Sequence, residues 1–320
     1  MPDQAEKLRD RIRETSTVST APRPAFSGRS PDAPRSLLFT SGKGGVGTSN
    51  LVLNLSIALA RMGQRVVLID ADLGLANLDI LCGLAPSVDL GDILEQDGNV
   101  LDALIDGPRG IRLLPGAHGL RSRLDFLPDG LNRVVEALAG VDGQADFLMI
   151  DAGSGLGPAI ATLAASVDEV VVVTTPEPTS MADAHAAISK FRRSEQPTTL
   201  RLLVNQARSS SEASEVSDKI ISTSRQFQRV LMTSLGSIAF DARVSAAVRL
   251  HQPFIEAFPY STAARGVRRL ARCLLEESDL LPRRPGPLAA LAFVLRGGRS
   301  PVRNTRTAPR PNHRSTAKTP

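Results

Sequence analysis

A glycine-rich segment near the start of the chain carries residue types that bind phosphate: Ser41-Gly42-Lys43-Gly44-Gly45-Val46-Gly47-Thr48-Ser49-Asn50. It follows the apolar run 37–39 and precedes the helical pattern 50–62, so we expect it between a strand and a helix. Backbone N–H groups and a helix N-terminus at such a junction face an anion. The P-loop pattern G-x-x-x-x-G-K-[ST] is met at Gly42, Gly47 and Ser49. Thr48 occupies the position of the lysine, so the sequence predicts a phosphate-binding loop that lacks its usual charge.

Two apolar runs end in aspartates at positions that suit a nucleotide site. Residues 66–69 are followed by Asp70-Ala71-Asp72, and residues 147–150 are followed by Asp151. An aspartate that ends a buried strand beside a P-loop is typical of the residue that supports Mg²⁺ against phosphates. By itself such an aspartate is more often a turn or a helix cap, and only the combination with the glycine-rich segment favours a nucleotide site. Gly153, Gly155 and Gly157 then predict a loop able to sense a γ-phosphate.

Strand-like and helix-like segments alternate from Ser36 onward, and this alternation predicts the architecture that positions these residues. The predicted strands are 36–40, 65–70, 111–114, 147–151, 169–174, 201–205 and 236–240. The predicted helices are 50–62, 131–138, 180–191, 212–229, 242–250 and 262–277. Several strands are apolar on consecutive residues, as in parallel strands buried on both faces. We therefore predict the α/β class, with a single doubly wound, mostly parallel sheet flanked by helices over residues 36–281.

The two ends of the chain differ from this domain in composition. Residues 1–35 combine a short helical pattern with a Ser/Thr/Pro/Ala-rich stretch, which predicts a helix on a flexible tether. Residues 282–320 contain nine of the 38 Lys and Arg and none of the 33 Asp and Glu, so the preceding residues carry a net charge of −4. We predict a basic, largely disordered tail with a short apolar patch at 288–295. Two distant cysteines and the lack of a secretory signal pattern favour a cytoplasmic protein.

Several motifs resemble those of one protein family. Lys43-Gly44-Gly45-Val46-Gly47 resembles the deviant Walker A motif of the MinD/ParA family of dimerising ATPases, and residues 70–79 are similar to that family's second motif. Residues 151–155, 174–180 and 240–254 are similar to its flagellar branch, the FlhG (also FleN or YlxH) regulators of flagellar number and placement. The start, Asp3-Gln4-Ala5-Glu6-Lys7-Leu8-Arg9, fits the D-Q-A-x-x-L-R element of that branch. The resemblance covers residues 36–278 and this N-terminal element.

The resemblance implies roles for particular residues. It implies an ATP-sandwiched homodimer in which Lys43 reaches the phosphates bound by the other protomer, while Asp72 orients the attacking water. Ser49 would contact Mg²⁺, and Asp70 and Asp151 would support the ion directly or through water. Asn205 matches a position that contacts adenine. The phosphates would be bound by Gly42, Gly44, Gly45, Val46, Gly47, Thr48 and Ser49. An FlhF-like GTPase would be stimulated through Asp3, Gln4, Ala5, Leu8 and Arg9.

Thr48 departs from the family pattern and leaves alternatives open. A charge-assisted hydrogen bond from the missing lysine contributes about 1.5–3 kcal/mol, so we expect triphosphate binding to weaken roughly ten- to hundredfold and hydrolysis to be slow or absent. One alternative is a nucleotide-independent scaffold with the same fold. Another is a cell-division or DNA-segregation ATPase of the same superfamily. The tail either contacts an anionic membrane through its arginines or packs on the domain, and we do not expect nucleic acid as a partner.

Overall fold

Short apolar runs form the strands of one sheet. The computed structural model describes residues 34–72, 76–92, 100–117, 144–154, 158–165, 167–191 and 199–278. All of these belong to one compact unit of the chain. The strands are β1 (Arg35–Ser41), β2 (Val66–Asp70), β3 (Ile105–Asp106), β4 (Arg112–Leu114), β5 (Phe147–Ser154), β6 (Glu169–Thr174), β7 (Thr199–Ala207) and β8 (Met232–Ala239).

Strand β1 lies inside the sheet, whose order across the described residues is β3-β4-β2-β5-β1-β6-β7-β8. Neighbouring strands are parallel except for β3, which pairs antiparallel with β4. The chain winds to one side of β1 through β2 to β5 and to the other side through β6 to β8. Such a reversal leaves a crevice at the carboxyl ends of the strands, where ligands bind in open α/β sheets. The predicted doubly wound, mostly parallel sheet is confirmed.

Helices cover both faces of the sheet. They are α1 (Thr48–Arg61), α2 (Leu78–Cys82), α3 (Pro158–Ala165), α4 (Pro178–Phe191), α5 (Ser210–Thr223), α6 (Ala242–Arg249), α7 (Phe254–Ala257) and α8 (Thr262–Ser278). Helices α1 and α8 share an apolar layer with Leu37 and Phe39, whereas α4 and α5 share the opposite layer with Leu38. Successive residues of β1 thus enter different layers, as the two-residue period of a strand requires.

The predicted helices that fall within the described residues are observed, with one correction. The helix predicted at 212–229 ends early: α5 stops at Thr223, and a π-helical turn, Ser224–Gln228, follows. Arg229 has a positive φ of 53° and closes this turn, so the helical pattern does not continue. Helices α2, α3 and α7 were not predicted, because four to eight residues carry little periodic signal. The predicted helix 131–138 and the segments 1–33 and 279–320 lie outside the described residues.

The strand predicted at 236–240 is also corrected at both ends, because β8 spans Met232–Ala239. The prediction placed a glycine at the start of the strand, but Gly236 is internal. A Cβ atom at this position would lie 2.8 Å from Cδ2 of Leu270 in α8. Glycine therefore lets α8 pack directly against the edge strand.

Four charged side chains form a network at the amino ends of the central strands. Arg35 of β1 donates to Glu169 of β6 at 2.6 Å and to the carbonyl oxygen of Leu274 at 2.6 Å. Arg201 of β7 donates to Glu169 at 3.3 Å and to Glu277 of α8 at 2.9 Å. The hydrogen bond from Arg201 lowers the pKa of Glu277. The network ties the end of α8 to three strands.

Replacing Glu169 with glutamine should lower the free energy of unfolding by about 3 kcal/mol. Glu169, Arg35 and Arg201 are all buried, and removal of one partner leaves a guanidinium charge poorly compensated. Urea unfolding followed by circular dichroism measures the loss. Asp106→Asn is the matched control, since Asp106 is 93% exposed and lies 3.5 Å from Arg112; its effect should stay below about 0.5 kcal/mol. Equal losses in the two variants would contradict this role for Glu169.

Candidate functional site

The glycine-rich loop joins β1 to α1 at the carboxyl edge of the sheet. Gly45 and Gly47 have φ values of 81° and 89°, which residues with side chains rarely adopt. Gly47 is the N-cap of α1 and supplies no side-chain hydrogen bond. The N–H groups of the first turn of α1 are therefore available to an anion at the positive end of a 14-residue helix.

Thr48 lies inside this loop and is only 6% exposed. Its hydroxyl oxygen is buried without a hydrogen-bond partner among the described residues. A buried hydroxyl in this state costs free energy that a hydrogen-bonding ligand would recover. The position that carries lysine in the P-loop pattern thus presents a small polar group and no charge.

Lys43 lies on the other half of the loop and contacts α4. Its ammonium nitrogen is 2.9 Å from Oε2 of Glu177 and 3.1 Å from Oγ1 of Thr179. The side chain of Lys43 is 39% exposed and that of Glu177 is 65% exposed. The lysine predicted to act across a dimer is therefore engaged within its own chain.

Asp70 and Asp151 are neighbours on β2 and β5, where they pair in the parallel ladder. Asp70 accepts hydrogen bonds from the backbone N–H groups of Asn77 at 2.9 Å and Leu78 at 3.0 Å, so it caps α2. It also accepts one from the N–H of Asp72 at 3.2 Å. Burial, and next the charge of Asp151, raise the pKa of Asp70 to about 7. Asp70 thus orients the segment that carries Asp72.

Asp151 faces the first turn of α1. It accepts hydrogen bonds from the Ser49 hydroxyl and, at 3.0 Å, from the N–H of Gly153. Burial raises its pKa to about 6, and the charge of Asp72 contributes in the same direction. Its Oδ2 atom is buried and has no hydrogen-bond partner within the described part of the chain. A buried, unpartnered carboxylate oxygen beside a serine hydroxyl is an arrangement that fits a hard cation such as Mg²⁺.

The described residues contain no group of three or more His, Cys, Asp or Glu side chains placed to hold a metal by themselves. Mg²⁺ in nucleotide sites is commonly held by one or two protein oxygens together with phosphate oxygens. Ser49 and Asp151 match that smaller set. Metal contacts by Ser49, Asp70 and Asp151 remain predictions.

Asp72 rests against the carboxyl end of β5. A Cβ atom at Gly153 would lie 2.0 Å from Oδ2 of Asp72, so only glycine permits this approach. Gly153 itself has a positive φ of 59°. Of the three glycines predicted to form a loop that senses a γ-phosphate, Gly153 instead lies within β5, and Gly155 and Gly157 lie outside the described residues. The role of Asp72 in orienting the attacking water stays a prediction.

A cleft beside Gly47 lies between the glycine-rich loop and the ends of β7 and β8. Asn205, near the end of β7, donates from Nδ2 to the carbonyl oxygen of Val46 at 2.7 Å. Asp241 caps two helices, because it accepts from the N–H of Arg243 at 3.0 Å and from that of Ala263 at 3.2 Å. The cleft is lined by Gly47, Asn50, Leu51, Asn205, Gln206, Ile238, Ala239, Phe240, Asp241, Val244, Ser245 and Phe254.

Asn205, for which the resemblance implies an adenine contact, lines this cleft, whereas Phe240 and Asp241 were given no role in the sequence analysis. An aspartate directly before the helical pattern 242–250 is a recognisable N-cap signal. Its second bond, to the start of α8, joins residues 22 positions apart and has no local signature. Phe240 is 61% exposed at the cleft, and its position follows from where β8 ends.

The glycine loop, the paired aspartates and the cleft occupy one edge of one domain, and a family model matches that domain. Residues 37–254 match the CobQ/CobB/MinD/ParA nucleotide binding domain. The chain belongs to the MinD/ParA family. The resemblance to its flagellar branch is supported by the antiactivator FleN of Pseudomonas aeruginosa, which is 36% identical over 259 residues, covering 81% of this chain and 91% of FleN.

Two further proteins are similar to this MinD/ParA family member, one in sequence and one in structure. The flagellum site-determining protein YlxH of Helicobacter pylori is 34% identical over 154 residues, which cover 48% of this chain and 52% of YlxH. The crystal structure of the cell division ATPase MinD of Pyrococcus furiosus superposes with a TM-score of 0.64 at 26% identity, covering 76% of this chain and 99% of that protein. Within the described residues, the family member has no helix long and apolar enough to cross a bilayer. Asp3, Gln4, Ala5, Leu8 and Arg9 lie outside those residues.

Asp151→Asn should stabilise the ligand-free protein at pH 8 by about 2–3 kcal/mol. Folding raises the pKa of Asp151 from 3.8 to about 6, so ionisation disfavours the folded state, and this cost grows as the pH rises through that window. At pH 5 the native carboxyl is mostly protonated, and the gain should fall to about half. Urea unfolding in EDTA at both pH values measures it. A loss of stability at both pH values would contradict the electrostatic assignment.

Proposed function

We propose that this MinD/ParA family member is a nucleotide-controlled switch that binds Mg-ATP in the loop 42–49 and regulates flagellar number or placement. The observation that carries the proposal is the arrangement of the loop, with the free N–H groups of α1 on one side and the unpartnered Oδ2 of Asp151 on the other. A phosphate chain and its cation are the ligand that satisfies both at once. The similarity to FleN and YlxH supports the flagellar role.

The proposed roles belong to residues around the loop and the cleft. Ser49 and Asp151 would hold Mg²⁺, which when bound neutralises phosphate charge. Asn205 already borders the cleft beside Gly47, where a base attached to the bound phosphates would lie. Asp72 lies against Gly153 near the end of β5 and would orient water. Lys43 would leave Glu177 to reach the phosphates of a second copy, so that nucleotide binding favours a homodimer.

Thr48 supports a slower cycle than the family pattern implies. The loop retains its backbone geometry, but position 48 supplies no charge to the phosphates. Charge that develops during phosphoryl transfer would meet fewer fixed donors, so hydrolysis suffers more than binding. The second candidate function follows from the same observation, namely a scaffold of this fold that acts without turnover. A role in cell division, like that of the Pyrococcus furiosus relative, is the third.

Thr48→Lys should tighten Mg-ATP binding by about ten- to hundredfold and raise turnover at least as much, because it restores a charge-assisted hydrogen bond to the phosphates. Calorimetric titration measures the affinity and phosphate release measures the turnover. Thr48→Met is the matched control, since its side chain is long and uncharged, and it should produce neither gain.

Micromolar binding by the natural protein would support the switch. If the Thr48→Lys variant binds Mg-ATP and the natural protein does not, the result would contradict the switch and favour the nucleotide-independent scaffold. If neither binds, nucleotide control is wrong.

The proposed partners are an FlhF-like GTPase at the N-terminal element and an anionic membrane surface at the basic tail, with the protein in the cytoplasm or peripheral on the membrane. Deleting residues 1–12 should abolish stimulation of the GTPase while Mg-ATP affinity stays within about twofold, because these residues lie outside the family domain at 37–254. GTP hydrolysis by the purified partner measures the first effect and calorimetry the second. Unchanged stimulation and unchanged swimming would instead favour the cell-division role.

A further inference from the structure

The first turn of α4 holds the phosphate loop through Lys43. The ammonium group contacts both Glu177, which directly precedes α4, and Thr179, the second residue of the helix. A carboxylate and a hydroxyl thus share one cation at the edge of the predicted phosphate site. Within Ser41–Asn50, Lys43 is the single basic residue.

The backbone of the loop is fixed against the same helix. A Cβ atom at Gly42 would lie 2.1 Å from the carbonyl oxygen of Asp183, so the loop backbone rests directly on α4. Lys43 follows this anchored glycine, and Ser41 accompanies it with a hydrogen bond from its hydroxyl to the Lys43 carbonyl at 2.9 Å. The backbone at Lys43 is therefore fixed in place. A change of partner would come from rotation of the Lys43 side chain.

Glu177 and a phosphate are competing anions for this ammonium. In a loop with two lysines, one could remain on a carboxylate while the other binds phosphate. Thr48 removes that option here, because position 48 has no charge. A ligand that binds the positive charge of this loop must compete with Glu177 for Lys43.

We propose that Glu177, assisted by Thr179, is an autoinhibitory partner of Lys43 and sets the threshold for nucleotide-dependent dimerisation. The contact closes in the resting monomer and opens when Lys43 moves to the phosphates of a second copy. Glu177 acts through Lys43 and is a positioning residue. This inference rests on the proposed function, and its test separates the two.

Glu177→Gln is the decisive variant. The pair is partly exposed, so its loss should free Lys43 about two- to fivefold. Acetylation of Lys43 in the ligand-free protein, measured by peptide mass spectrometry, should accelerate by that factor, and the Mg-ATP concentration for half-maximal dimer in light scattering should fall by the same factor. Salt should accelerate Lys43 acetylation in the natural protein and much less in the variant, because it screens the pair.

Asp183→Asn controls for a general loss of negative charge near the loop, since the backbone of Asp183 touches Gly42; it should change neither measurement. Lys43→Met should abolish the benefit of Glu177→Gln in the double variant. Unchanged acetylation in Glu177→Gln, or an equal effect of Asp183→Asn, overturns the inference.

Faster acetylation of Lys43 in Glu177→Gln with an unchanged Mg-ATP requirement for dimerisation would also overturn the inference. That result would not contradict the proposed binding of nucleotide. If neither the natural protein nor Glu177→Gln binds Mg-ATP, the proposed function fails first, and the threshold fails with it.

Discussion

The register between β2 and β5 places Asp70 opposite Asp151, and the electrostatic cost of that placement governs the site. Both carboxyls are buried, so their ionised forms are unfavourable. Backbone N–H groups offset part of the cost at Asp70, and the Ser49 hydroxyl does so at Asp151. Oδ2 of Asp151 has no hydrogen-bond partner among the described residues, so these residues do not offset all of the cost. A cation at this point would complete the balance, and the glycine loop beside it supplies donors for that cation's phosphates.

The loop itself offers geometry more than charge. Its left-handed glycines and the start of α1 direct N–H groups toward an anion, while Thr48 contributes an uncharged hydroxyl. Lys43 is the basic residue of the loop, and Glu177 holds it. Much of the positive charge in a filled site would therefore arrive with the ligand, as its metal ion, or through rearrangement of Lys43. Both events suit a switch better than a fast enzyme, because each makes the filled state depend on several components together.

The buried charged side chains at the two edges of the sheet differ in how well they are paired. At the amino edge, hydrogen bonds join Arg35 and Arg201 to Glu169 and Glu277, and they tie α8 to the strands. At the carboxyl edge, Asp70 and Asp151 have raised pKa values, and Oδ2 of Asp151 has no hydrogen-bond partner among the described residues. The ion-pair network thus lies at one end of the strands, and the predicted ligand site lies at the other. Natural proteins commonly keep local electrostatic strain at functional sites and offset it elsewhere.

Local sequence determined the glycine-rich loop, the apolar runs that lead to Asp70 and Asp151, the missing charge at Thr48 and the alternation of strands and helices that predicts a doubly wound sheet. Each of these is recognised from residues a few positions apart. The other contacts of the site could not be predicted, because their partners are far apart in the sequence. Lys43 meets Glu177 across 134 positions, and Asn205 meets Val46 across 159. The length of β8 depended on how α8 packs over Gly236, and the short helices α2 and α7 had no periodic signal. Only the folded chain decides such contacts, since a side chain's partner is set by which elements the sheet brings together and not by the residues beside it.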